Sequence, residues 1–480
     1  MTLSLIQNLK FNIQHLRKHS GFRRYFFNTG WLMLDKVLRM FLGLFVGVWV
    51  ARYLGPENFG ILNFAMSFVG LFGAFGKLGL DGIIVRNIVR EPGERDEILG
   101  TSLILRFCGA IVLMLTVFGA LQLTSATTHE KIIVMIIAFG QLFMSFEVFD
   151  FYFQSQVKAK FSGITGTFGL LASSIARISF ILLGLPLIWF AGAVIIEQLT
   201  KAIFFIYFYI KTASPTHKSS NNQYTNAHSK LNIYPVKCRR QSAKLIFNGV
   251  KNLKFSKATA LALLKDSWPL ILSGLVVMVY MRIDQVMIKE MLNNEAVGQY
   301  AAAVRLSEVW YFIPMMISNS LFPAIINAKK QSEELYYARL QNLYTFLIWL
   351  AIAIALPMTF LSEWIVTILF GPEYSQAANV LMIHIWAGVF VFLGVAFSKF
   401  LISENFTKKT FARTLVGAMM NVLLNYFMIP KFGISGAAIA TLLSQFTANY
   451  LYDFFDKDLR KHLIIKNKGF FPIYLVKRRL

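Results

Sequence analysis

The chain has 480 residues, 56% hydrophobic and 15% charged, with a mean hydropathy of +0.56; a soluble chain would carry roughly 25% charged residues, so a soluble fold does not fit. The net charge of +24 would suggest nucleic acid in a soluble protein, but in a membrane protein it reflects Lys and Arg gathered in cytoplasmic loops, and no nucleic-acid partner is expected. The cysteines, Cys108 in an apolar run and Cys238 in a basic loop, offer neither a disulfide nor a metal-ligand spacing.

Residues 1–30 place Ile6, Leu9, Ile13 and Leu16 at helical spacing among basic and polar residues. That suits a helix lying in the membrane interface as well as a loose tail, and no small-residue cleavage site marks a signal peptide. Runs long enough to cross about 30 Å of hydrocarbon then cover 31–50, 61–80, 99–122, 132–153, 162–184 and 187–210, a first unit of 31–210. The stretch 211–266, rich in Ser, Asn, Lys and His, reads as a basic linker. A second unit, 267–455, holds runs at 267–289, 299–327, 341–361, 377–401, 411–429 and 434–455, and a basic tail occupies 456–480. The expectation is an all-α polytopic membrane protein with about 12 transmembrane helices in two six-helix bundles.

The connectors alternate in charge. One side collects Lys10, Arg17, Lys18, Arg23 and Arg24, then Arg86, Arg90 and Arg95, the linker, Lys329 and Lys330, Lys408 and Lys409, and the tail. The other holds little beyond Arg52, Lys131, Lys289 and Lys431. By the positive-inside rule both termini and the linker are cytoplasmic. A weak repeat relates the two units. The segment from Trp31 ends in LGPENFG at Gly60, and that from Trp268 ends in LNNEAVG at Gly298. Further on, GLPLIWFAGAVIIEQL from Gly184 echoes IPKFGISGAAIATLLSQF from Ile429. Paired bundles of this kind around a cavity suit a transporter.

Three stretches, ARYLGPENFGILNFAMSFVGLFGAFGKLGL, SWPLILSGLVVMVYMRIDQVMI and VGQYAAAVRLSEVWYFIPMMISNSLFPAI, resemble the bacterial polysaccharide flippases, relatives of the multidrug MATE exporters and the lipid II flippase. The resemblance runs from about Trp31 to Phe455. It implies a MATE-like, V-shaped pair of bundles in the bacterial inner membrane. It also implies movement of an undecaprenyl-diphosphate-linked oligosaccharide from the cytoplasmic to the periplasmic leaflet. Implied partners are that lipid-linked oligosaccharide, membrane lipids, and a polysaccharide polymerase and glycosyltransferases. The linker 211–266 is longer than the family pattern.

Charges inside spans are costly and face a cavity or a partner. Arg282 lies about 21 Å along its helix from Trp268, and Arg305 and Glu308 return to a similar depth, so Arg282, Asp284, Arg305 and Glu308 share a layer. Arg282 and Asp284 are about 200° apart around the helix and cannot easily pair. Two readings stand for this layer: a polar cavity between the units, or interhelical salt bridges. Arg106 and Arg177 have no acid three or four positions away, and an unpaired guanidinium matches a phosphate. Asp35 with Arg39, and Glu197 with Lys201, are four apart and can pair with each other. The candidate substrate cations are therefore Arg282, Arg305, Arg177, Arg39 and Arg106, with Asp284, Glu308, Asp35 and Glu197 as candidate ion-coupling acids. His384 suits a hydrogen-bonded structural role or proton transfer. Gly43 with Gly47, and Gly70, Gly73, Gly76 and Gly79, suit close or sliding helix contacts. Walker, nucleophile-elbow and metal motifs are missing, so neither an enzyme nor a cofactor is expected. The alternatives are a cation-coupled drug antiporter, whose cavity should be acidic, and a non-transporting scaffold of polysaccharide assembly.

Overall fold

The computed structural model describes residues 20–213 and 253–471, with side chains from Met40 onward. The proposed interfacial helix before Ser20, most of the linker, and the tail beyond Phe471 lie outside the described residues, as do the side chains of Asp35 and Arg39.

Among the described residues every regular element is a helix. The first half runs α1 (Ser20–Leu71), α2 (Gly73–Lys77), α3 (Asp81–Arg90), α4 (Arg95–Leu121), α5 (Thr128–Gly140), α6 (Val148–Ser155), α7 (Ala159–Leu182) and α8 (Leu187–Ala213). The second runs α9 (Lys257–Met291), α10 (Asn294–Glu308), α11 (Phe312–Lys329), α12 (Glu333–Phe370), α13 (Ser375–His384), α14 (Ala387–Ser403), α15 (Thr407–Phe446), α16 (Tyr452–Phe455) and α17 (Arg460–Gly469). Among the described residues, 8 helices can cross a membrane by length and composition, or up to 10 if each bent pair is one span. The expected count of about 12 is not reached by that measure. Helix α9 also starts at Lys257, inside the stretch read as linker, because the Ser256 side chain caps it by accepting from the Thr259 N–H at 3.3 Å.

Two of the longest helices are broken by glycine. Gly55 has φ 71 and Gly433 φ 59, left-handed conformations that favour glycine, each just beside a proline-bearing segment, Pro56 or Pro430. At Gly433 the chain folds back. Asn425 and Thr441, which a straight helix would hold about 24 Å apart, both bond the Asp284 carboxylate. Gly55 does the same, since Gly47 and Phe59 both touch the Arg305 guanidinium. A sequence reader finds these two breaks as gaps between spans; a backbone trace runs through them.

The repeat motifs pack on each other. A Cβ on Gly60 would overlap the Asn294 carbonyl, and one on Gly298 would overlap the Pro56 carbonyl. Gly60 and Gly298 are equivalent positions of the repeat, and so are Pro56 and Asn294, so the contact is reciprocal, like an isologous interface. Around it one core joins both halves through Phe64, Val134, Tyr300, Ala302 and Tyr374. At this end Lys289 Nζ also donates to Ser125 at 2.8 Å, and Tyr374 donates to the Ala51 carbonyl at 2.8 Å. At the linker end the halves meet through Gly79 against Leu270 and through the exposed Arg86–Asp266 pair at 2.5 Å.

Candidate functional site

Between the two contact zones lies a cavity of about 980 Å³, lined by both halves of the chain. Arg177 of α7, Arg282 of α9, and Arg305 and Glu308 of α10 face it. The α10–α11 junction is a short 3-10 turn at Val309–Tyr311. Pro314 has no N–H to bond the Trp310 carbonyl, which loosens the helix there and angles Glu308 and Tyr311 into the space. Arg305 lies 5.2 Å from the centre of the Phe59 ring, a cation–π distance. Its room comes from Gly47, where a Cβ would overlap the guanidinium. The GxxxG of Gly43 and Gly47 thus admits a cation rather than a second helix backbone. Gly70 differs, since a Cβ there would lie 3.9 Å from the Arg282 side chain, an ordinary contact.

Three guanidinium groups face one carboxylate. Among the described residues none of Arg177, Arg282 and Arg305 has a carboxylate oxygen within 4.0 Å. Polar neighbours come from Asn63 and Gln285, and the Gln285 amide oxygen accepts from Ser67 of the other half at 2.8 Å. The arrangement presents positive charge and fork-shaped donors to an anion.

Asp284 turns away from this cavity, as the 200° offset predicts. It is 6% exposed and accepts from Tyr300 at 2.8 Å, Thr441 at 2.6 Å and Asn425 at 2.5 Å. Asn421 accepts from Asn425 at 3.1 Å. The recess beside Asp284 shares Gln285, Glu308 and Tyr311 with the central cavity. The recess thus holds two carboxylates, Asp284 and Glu308, beside the hydroxyls of Tyr300 and Thr441. Among the described residues there is no cluster of three or more His, Cys, Asp or Glu. Tyr300, Asn425 and Thr441 escaped the sequence reading, which weighed charges only. Asn421 and Asn425, four apart in an apolar helix, carried a signal, since intramembrane amides hydrogen-bond across helices.

Arg106, expected among the cavity cations, and Glu197, expected as an ion-coupling acid, do not line the central cavity. Arg106 is 1% exposed and pairs with Asp81 at 2.9 Å and Glu147 at 3.6 Å. Its acids come from other helices, so their absence three or four positions away did not mean an unpaired cation. Glu197 pairs with Lys201 at 2.6 Å and accepts from Ser173; the local pairing is what forms. His384 is buried, with Nδ1 2.7 Å from the Ser307 hydroxyl.

Residues 26–329 match the family described as polysaccharide biosynthesis protein, and residues 269–427 match the MatE family. A probable low-salt glycan biosynthesis flippase, Agl15, of Haloferax volcanii is 26% identical over 166 residues, 34% of this chain and 35% of that protein. The chain thus matches about a third of that relative's length. A putative O-antigen transporter of Shigella flexneri is 22% identical over 84% of this chain and 91% of that one. Among solved structures, the lipid II flippase MurJ in an inward closed conformation superposes with a TM-score of 0.67 at 14% identity, covering 94% of this chain and 92% of MurJ. The inward-facing form of a multidrug resistance MATE family transporter of the MOP superfamily gives 0.65 at 15%, over 90% of this chain and 95% of that one. At these identities the structural likeness concerns the fold. The chain therefore belongs to the polysaccharide biosynthesis protein family, as a multi-pass membrane protein with the fold of the MOP-superfamily transporters.

Proposed function

We propose that this protein is a flippase that carries an undecaprenyl-diphosphate-linked oligosaccharide from the cytoplasmic to the opposite leaflet of a bacterial inner membrane. The observation that carries the reading is that, among the described residues, the cavity sets three guanidinium groups without a carboxylate within 4.0 Å against one carboxylate, Glu308. A diphosphate must cross about 30 Å of hydrocarbon, and Arg282, Arg305 and Arg177 supply counter-charges along the way while the polyprenyl tail stays in lipid. Glu308 limits the positive field and leaves the site able to release its anion. The flippase-named relatives and the matched family support this substrate class. In the same reading the units are 31–210 and 267–455, the termini and linker are cytoplasmic, and polymerase and glycosyltransferases supply or consume the cargo.

Alternating access requires the two contact zones to part in turn. The linker-end pair Arg86–Asp266 is 42% and 49% exposed, and such pairs contribute about 0–1 kcal/mol. The opposite end is held by the buried glycine interlock and by Lys289, 7% exposed. The linker end is also held by Gly79 against Leu270 and by Gly100 against the Lys254 backbone, so both ends carry close glycine contacts that must part in turn. Asp284 is the coupling site of this reading. A monovalent cation or proton taken up by Asp284 would change the bonds that this carboxylate accepts from Thr441 and Asn425, one on each arm of the α15 hairpin next to the cavity, so its occupancy biases the second half's shape.

A drug/cation antiporter would need an acid-dominated cavity, the reverse of this one, and a scaffold would not need a cavity at all. Proteoliposomes containing the protein and a labelled lipid-linked oligosaccharide separate the three. Flipping that depends on Arg282 and Arg305 supports the proposal; export of organic cations without flipping, or no transport, sinks it.

A further inference from the structure

A second concavity lies on the outer wall of the first half and shares no lining residue with the central cavity. It measures about 490 Å³. Its walls are Met114 and Phe118 of α4, Met135, Ile136 and Phe139 of α5, and Ile195 of α8. Polar side chains enter at one end only, from Gln122, Thr128 and Lys131. Phe118, Ile132 and Phe139 are exposed, and the helices carrying them belong to the span-length segments Pro92–Leu121 and Thr128–Ser155. The furrow therefore opens on hydrocarbon, and its polar end sits where both spans end.

The dimensions fit one leaflet. Gln122 back to Met114 on α4, and Lys131 on to Phe139 on α5, each run about 12 Å, close to half of a core of about 30 Å. Water finds no partners on such walls, and an empty furrow would forfeit its dispersion contacts. The surrounding medium offers acyl chains. At the polar end Lys131 Nζ donates to Gln122 at 3.2 Å, and among the described residues no carboxylate lies within ion-pair distance of it. An ammonium has three donors, so capacity for a phosphate remains.

We propose that this furrow binds one anionic glycerophospholipid of the leaflet at that end, with an acyl chain between α4 and α5 and the phosphate on Lys131. The polyprenyl chain of a transport substrate fits less well, because the furrow stops one leaflet deep at Phe139 and does not join the central cavity. The site adjoins the segment that links the halves. Ser125 accepts from Lys289 at 2.8 Å and donates its N–H to Glu290 at 3.0 Å, and Glu130 accepts from Asn294. A lipid seated here braces the α4–α5 connector against that contact.

The test uses the full chain in liposomes with phosphatidylglycerol carrying a photoreactive group in its acyl chain, and cross-links mapped by mass spectrometry. Labelling is expected to concentrate on Met114, Phe118, Met135 and Phe139, above equally lipid-exposed sites such as Phe360 and Leu182. Lys131→Glu should cut that labelling about fivefold, and the same probe built on phosphatidylcholine should label it no better than the variant does. Ile136→Trp fills the furrow and should abolish labelling with either lipid, whereas Leu115→Trp, on an exposed face of α4 outside the furrow, should preserve it. Melting temperatures establish that each variant is folded; if Ile136→Trp is not, Lys131→Glu at the rim decides alone. Labelling spread evenly over the lipid-facing surface, equal labelling by the zwitterionic probe, or displacement of the phospholipid by a polyprenyl diphosphate would each overturn the assignment.

Discussion

The central cavity and the knot at the C-terminal helix both bury cations, and they treat them in opposite ways. In the knot, Lys466 of α17 bonds Asp453 at 2.5 Å and the Asn449 carbonyl at 2.8 Å, and both charged side chains are 0% exposed. The ammonium also sits 3.3 Å from the centre of the Phe397 ring. Burial pulls the Lys466 amine down to about 7, against the pull of Asp453 in the other direction. The ammonium and the carboxylate of that site are spent on each other. In the cavity, Arg177, Arg282 and Arg305 line open space, and Glu308 is the only carboxylate facing it among the described residues. Buried charge of the first kind is tethering; buried charge of the second kind waits for a counter-ion.

That contrast can be broken first at the knot, where the largest effect is expected. Lys466→Met strands the Asp453 carboxylate in a dry site, at roughly 3–5 kcal/mol for a broken buried pair. Melting in detergent should drop accordingly, and adding Asp453→Asn should recover most of the loss. A single variant that melts like the parent would show that the pair holds nothing.

Next come Arg305→Ala and Arg282→Ala. If each guanidinium meets the diphosphate, losing its charge-assisted bonds, worth about 1.5–3 kcal/mol, lowers flipping about tenfold to a hundredfold. Melting should stay level or rise, since a like charge has left the cavity; this is the opposite sign to Lys466→Met. Lys at either position should restore activity only in part, because it lacks the planar fork. A fall in melting temperature as deep as that of Lys466→Met would mean that these arginines are structural after all.

Arg106 is the intermediate case. Its partner Asp81 is 51% exposed at the side chain, so the freed carboxylate can rehydrate. Arg106→Ala should cost about 1–3 kcal/mol in thermal unfolding and leave flipping per folded molecule near the parent rate. Flipping abolished in a stable Arg106→Ala protein would return this residue to the transport path.

The smallest effect is expected at Gly47→Ala. The added methyl pushes only the flexible end of Arg305, so stability should change by less than about 1 kcal/mol, while flipping falls about threefold to tenfold because the guanidinium leaves its place over Phe59. An unchanged rate would separate Arg305 placement from transport.

By itself the sequence determined the class of protein, an all-α multi-pass membrane chain. Apolar runs of span length and alternating basic connectors can exist only in a chain threaded through a bilayer, and the pattern is local, so it is legible residue by residue. That Arg282, Arg305 and Glu308 come together was legible for the same reason, since 1.5 Å per residue converts sequence distance into position along a helix, and Asp284 lies off the cavity they line. Partnership was not legible. Arg106 finds Asp81 and Glu147 on other helices, and Asp284 finds Asn425 and Thr441 on two arms of a hairpin made by Gly433. Whether a buried charge is paired depends on which helix faces turn toward each other, a property of packing between distant segments. Only the tertiary structure decided that Gly47 makes room for Arg305, that Gly60 and Gly298 interlock, and which cations were left without a carboxylate.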